Sequence, residues 1–143
     1  MQKYHILIAE DDSDDRYLFQ TAFAEKGIKD PIEFVHDGVE LIQYLEKLEE
    51  MKAKESSLPY FILLDLNMPK KDGKEVLGYI KQHPLFKKIP VIVFTTTKNE
   101  NEIRQCYELG ANTYVVKPSS FDSLMKILES IRNYWIDIAS IAT

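Results

Sequence analysis

The chain has 143 residues, 45% of them hydrophobic and 29% charged, with eighteen basic against twenty-three acidic side chains and a formal net charge of −5. That length holds one ordinary domain whose core needs no disulfide or metal staple, and the acidic balance argues against a polyanion-binding domain. Cys106 is the only cysteine, which excludes an intrachain disulfide and fits a reducing compartment.

The N-terminus, from Met1 to Leu7, meets the charged cluster Glu10-Asp11-Asp12 within a few residues, unlike a secretory leader. No apolar run reaches the ~18–20 residues of a membrane span. A single cytoplasmic domain over residues 1–143, with no membrane contact, is the expectation. Tyr4-His5-Ile6-Leu7-Ile8-Ala9 predicts a first strand, followed by an acidic turn. Leu18, Phe19, Ala22 and Phe23 then recur at helical spacing, and Gly27 is placed to stop that helix. Ile32-Glu33-Phe34-Val35 alternates as an edge strand does. Asp37 and Glu40 form a capping pair before a helix through Leu41, Leu45 and Leu48. The charged stretch from Glu46 to Pro59 reads as a helix tail and a mobile loop.

Tyr60–Leu64 and Val91–Phe94 are continuous apolar runs, as central parallel strands buried on both faces require. Between them Asp72 and Glu75 cap a helix through Val76, Leu77 and Ile80. Asn99 and Glu102 start the next helix, which ends at Gly110, and Thr113–Val116 is a fifth short strand. Ser119 and Asp122 cap a last helix reaching about Ile138. Five βα units predict a three-layer α/β fold on a parallel sheet, with chemistry at the carboxyl ends of the strands.

Those ends carry a consistent set of groups. The first strand ends in Glu10-Asp11-Asp12, the third in Asp65, the fourth in Thr95-Thr96-Thr97 and the fifth in Lys117-Pro118. Clustered carboxylates repel one another, and a divalent cation removes that penalty. Oxygen ligands alone suit Mg²⁺; His5, His36, His83 and Cys106 are too scattered for zinc. A metal, a lysine point charge and a hydroxyl donor are the means of handling a phosphoryl group. Asp65, ending the central strand, is positioned as a carboxylate nucleophile. Each group alone has a plainer reading as a helix N-terminus, a cap or a surface charge; their conjunction at four strand ends favours a site.

Ile8-Ala9-Glu10-Asp11-Asp12, the run Leu63–Pro69 followed by Asp72-Gly73, Val93-Phe94-Thr95-Thr96 and the run Gly110–Pro118 together resemble the receiver domain of two-component response regulators, from about Lys3 to Ile131. The resemblance implies a flavodoxin-like, doubly wound sheet in the order 2-1-3-4-5. It implies a switch protein, not an enzyme beyond its own phosphotransfer and dephosphorylation. Asp65 would accept phosphate from a sensor histidine kinase or a histidine phosphotransfer protein. Glu10, Asp11, Asp65 and the Asn67 carbonyl would hold Mg²⁺. Thr95 and Lys117 would bind phosphoryl oxygens, and Tyr114 would take the aromatic switch position. Pro69 and Gly73 would shape the loop after Asp65, Asp12 would cap a helix, and the Lys117–Pro118 bond would be cis. Thr96, a longer segment over 46–59, a chain extending past about residue 132, and Pro118-Ser119-Ser120-Phe121 resemble stand-alone regulators that partner bacterial phytochromes.

Phosphorylation adds about −1.5 to −2 charge. Thr95 and Lys117 are expected to move towards Asp65 to meet it, letting Tyr114 turn inward. Asn67 and Thr97 border the route of a hydrolytic water. The last helix carries a seam of Phe121, Leu124, Leu128, Ile131, Trp135 and Ile138, widened by Met125, Ile127, Tyr134 and Ile141, with Ile103 and Tyr107 on the same side. This surplus apolar surface predicts a homodimer through the last helix. The alternatives are a receiver-like interaction module that is never phosphorylated, and a small aspartate-nucleophile phosphotransferase. The latter needs a second aspartate where Asn67 stands. No helix-turn-helix or basic stripe remains after the receiver-like stretch, so no nucleic acid partner is expected.

Overall fold

The parallel strands β1 (Ile6–Ala9), β2 (Ile32–Val35), β3 (Phe61–Leu64), β4 (Val91–Thr95) and β5 (Thr113–Val116) form one sheet in the order β2-β1-β3-β4-β5. The computed structural model describes residues 5–51 and 58–142, so Tyr4 and most of the predicted loop before Pro59 lie outside the described residues. Ile6 to Ala9 pair in register with Ile32 to Val35 on one side and with Phe61 to Leu64 on the other. β3 and β4 are buried along their whole length, as their unbroken apolar runs require.

Helices α1 (Ser13–Glu25), α2 (Gly38–Glu50), α3 (Gly73–Gln82), α4 (Glu100–Glu108) and α5 (Phe121–Arg132) cover both faces. Strand alternation divides the core accordingly. Leu7, Ala9, Ile62, Leu64, Val91 and Val93 face α2, α3 and α4. Ile6, Ile8, Phe61, Leu63, Ile92 and Phe94 face α1 and α5. Side-chain caps start each helix: Asp12, Asp37, Asp72, Asn99 and Ser120 accept from the first free backbone N–H groups. Gly27 follows α1 at φ +68°, where a residue without Cβ is favoured.

Four local expectations are corrected. The cap of α5 is Ser120, not Ser119, because Ser120 has the extended backbone from which Oγ reaches the Ser123 N–H at 3.1 Å. Leu18 is 39% exposed, since Phe19, Ala22 and Phe23 already fill the inner face of α1. The Lys117–Pro118 bond is trans; an X–Pro bond has only a small intrinsic preference, so its surroundings choose the isomer. Finally, α5 stops at Arg132 and widens into a π-helical segment over Asn133–Ile138. Its i→i+5 bonding, as in Ala139 N–H to the Tyr134 carbonyl at 2.7 Å, shifts the side-chain phase. Trp135 and Ile136 therefore pack on the α1/α5 core, while Ile138 leaves the predicted seam and is 70% exposed.

Candidate functional site

Asp65 follows β3 directly and is buried, with its carboxylate fully engaged. Its Oδ1 accepts from Thr95 Oγ1 at 3.1 Å and from the Asn67 backbone N–H at 3.0 Å. Its Oδ2 accepts from Lys117 Nζ at 3.0 Å. Thr95 ends β4 and is inaccessible to solvent; Lys117 follows β5, and its own N–H donates to the Thr95 carbonyl at 2.8 Å. Three strand ends thus meet at one point, as their topology demands.

Glu10 is only 2% exposed, whereas Asp11 lies open beside it. Lys117 Nζ also donates to Glu10 Oε1, and the Asp12 N–H donates to Glu10 Oε2 at 3.2 Å. Burial raises the Glu10 pKa, the Lys117 ammonium opposes it and the Asp65 charge adds to it; the result stands at about 7. For Lys117 burial works against the charge, yet the hydrogen bond it donates to Glu10 and the charges of Asp65 and Glu10 outweigh it, so its pKa is raised. Carboxylate oxygens of Glu10, Asp11 and Asp65 lie within 4.8 Å of one another. A cluster of hard oxygen donors, one with its proton affinity raised, fits a hard divalent cation.

Two residues at the site carried no role in the sequence reading. Arg16 Nη1 donates to the carbonyls of Glu10 and Asp11, both at 2.9 Å, and so pins the acidic turn. Its signal was a lone arginine at the head of an acidic helix. Asp15 lies 3.4 Å from Lys117 Nζ. Thr95 and Lys117 contact the Asp65 carboxylate directly. Tyr114 is partly buried, and its hydroxyl donates to the Thr97 carbonyl at 2.7 Å. Asn67 Nδ2 donates to Thr95 Oγ1 at 3.3 Å. Asn67 and Thr97 border an open polar cleft of about 570 Å³ that runs towards Lys74 and Asn99.

Residues 6–129 match the model of the response regulator receiver domain. The chain is a response regulator receiver domain. The response regulator Rcp1 of Synechocystis sp. is 38% identical over 136 residues, covering 95% of this chain and 91% of that protein. A crystal structure of the phosphorylated cyanobacterial phytochrome response regulator RcpA superposes with a TM-score of 0.86 at 36% identity, covering 99% of this receiver and 100% of that chain. The Mn²⁺-bound form of Rcp1 superposes with a TM-score of 0.84 at 36% identity and the same coverage. This receiver therefore resembles single-domain regulators over its whole length, and receivers are signalling proteins rather than enzymes acting on separate substrates. Among the described residues no helix is long and apolar enough to cross a membrane.

Proposed function

We propose that this receiver is a stand-alone, cytoplasmic phosphorylation switch whose acceptor is Asp65, and that a phytochrome-class sensor histidine kinase or a histidine phosphotransfer protein supplies the phosphoryl group. The observation that carries this reading is the Asp65 carboxylate itself, bound on one oxygen by Thr95 and on the other by Lys117, beside Glu10 and Asp11. A carboxylate oxygen of Asp65 attacks phosphorus, a P–O bond forms, and the P–N bond to the donor histidine breaks with its electron pair leaving on nitrogen. Thr95 and Lys117 donate to the phosphoryl oxygens as charge builds on them. Mg²⁺, held by Glu10, Asp11, Asp65 and the Asn67 carbonyl, would neutralise phosphoryl charge there.

Tyr114 reports the state of Thr95 to the face formed by α4, β5 and α5. Its hydroxyl donates to the Thr97 carbonyl in the β4–α4 connection; the unphosphorylated protein samples the switched arrangement and phosphate shifts the population. Thr97 and Asn67 tune hydrolysis from the open cleft. The C-terminal segment presents Tyr134 and Ile138 for a homodimer. The test follows intact mass of the full chain with acetyl phosphate and Mg²⁺. One phosphoryl mass is expected, absent from Asp65→Asn and absent after chelation. A folded wild-type chain that gains no mass would sink the switch and leave an interaction module.

A further inference from the structure

Lys117 has three ammonium hydrogens and no acceptor of its own. In this structure three carboxylates take them: Glu10, Asp65 at 3.0 Å and Asp15 at 3.4 Å. These three carboxylates match the three hydrogens of the ammonium. Asp15 lies in the first turn of α1, where an acidic side chain needs no further explanation than the helix dipole. Its neighbour Asp14 is of that kind, exposed, with no contact to Lys117. Asp15 differs because its carboxylate reaches across to the end of β5. The bond it makes is the longest of the three, and its side chain is the most exposed of the three acids. It is the partner most easily exchanged. Beside it lies a cavity of about 60 Å³ lined by Asp15, Leu18, Phe94, Lys117 and Pro118, which leaves the lysine room to shift.

We propose that Asp15 is a positioning residue for phosphotransfer: it holds Lys117 towards α1, and an incoming phosphoryl oxygen must displace it to gain the third ammonium hydrogen. Glu10 and Asp65 remain partners while Asp15 lets go. The consequence is a built-in brake on phosphorylation by small anionic donors, which removal of the Asp15 charge releases. This inference rests on Asp65 being the phosphoacceptor.

The experiment follows intact mass of the full chain with acetyl phosphate and Mg²⁺ over time. In each event the P–O bond to acetate breaks, a P–O bond to Asp65 forms, and acetate leaves. Asp15→Asn is expected to form the adduct about two- to fivefold faster, the range that a partly exposed ion pair supports. Asp15→Glu, which keeps the carboxylate, is expected to return the rate towards wild type. Asp14→Asn removes the same charge from the same helix turn without touching Lys117, and is expected to leave the rate unchanged. Thermal melts of all three variants verify folding. Equal acceleration by Asp14→Asn would mean a general field effect and overturn the proposal. An unchanged or slower Asp15→Asn would overturn it too, because Asp15 would then be inert or helpful to the reaction. If wild type forms no adduct at all, the acceptor reading falls and this inference with it, which is a different result from equal rates.

Discussion

Among the described residues Lys117 is the only cation bound to the side-chain carboxylates of Asp65 and Glu10, so its loss has a legible cost. Removing one side of a buried ion pair costs ~3–5 kcal/mol when the remaining charge has no escape. Here Glu10 has one, because burial already brings its pKa to about 7 and it can take up a proton near neutrality. Lys117→Met is therefore expected to lose about 1–3 kcal/mol in metal-free buffer at neutral pH, below the full penalty. A divalent cation that binds only the folded state stabilises it by mass action, and with the ammonium gone it faces less repulsion. Mg²⁺ should raise the melting temperature of Lys117→Met by more than it raises that of wild type. Melts with and without Mg²⁺ decide this; equal shifts would show that the acidic cluster does not hold the ion. At this scale the sequence disclosed Glu10, Asp11, Asp65, Thr95 and Lys117 because each ends a strand. Asp15 stayed hidden because its contact with Lys117 spans 102 positions and depends on how α1 lies against β5.

Elements were the most legible level, since period and cap chemistry both mark them. Asp12, Asp37, Asp72 and Asn99 cap where local sequence places them. The π-helical turn after Arg132 was not legible, because a 3-4-3-4-3 apolar seam is also what a continuing α-helix shows. The loop from β3 into α3 shows what a single position can demand. A Cβ on Gly73 would lie 2.6 Å from Leu66 Cα and 3.0 Å from the Asp65 carbonyl, all backbone of the acceptor loop. That loop already holds Lys70 at φ +71°, a conformation uncommon for a residue with a side chain. Gly73→Ala is expected to cost ~1–3 kcal/mol in urea denaturation, as overpacking does, and to slow adduct formation at Asp65. Gly27→Ala is the contrast. No atom lies within 4 Å of its added Cβ, but its φ is +68°, so it loses about 1 kcal/mol and leaves phosphorylation alone. If both variants accepted phosphate at the wild-type rate, the close approach of Gly73 to the loop would have no bearing on the chemistry.

At the scale of the molecule, the parity of each strand assigns its residues to one of two cores, and the parallel order brings every strand end to one rim. Five βα repeats made the layers predictable; the strand order came from the resemblance, because alternating elements alone admit several orders. The chain beyond α5 is where the molecule has surface to spare. Arg132 fixes that segment, reaching Asp30 Oδ1 at 2.8 Å, Asp30 Oδ2 at 3.2 Å, and Asp137. Met125, Ile127, Trp135 and Ile136 pack on the α1/α5 core, so part of the surplus apolar surface is spent on the domain itself. Tyr134, 50% exposed, and Ile138 turn outward on a segment held by the Arg132 bonds, so little ordering entropy opposes a contact there. Sedimentation equilibrium is expected to find a dimer in wild type, strengthened by beryllofluoride if α5 moves with Tyr114. Ile138→Lys should be monomeric with an unchanged melting temperature, because an exposed side chain contributes little to the fold. Trp135→Ala should instead lower the melting temperature, because it removes an aromatic ring from the α1/α5 core. A wild-type chain that stays monomeric at high concentration, with and without beryllofluoride, would mean that the outward residues serve a different partner.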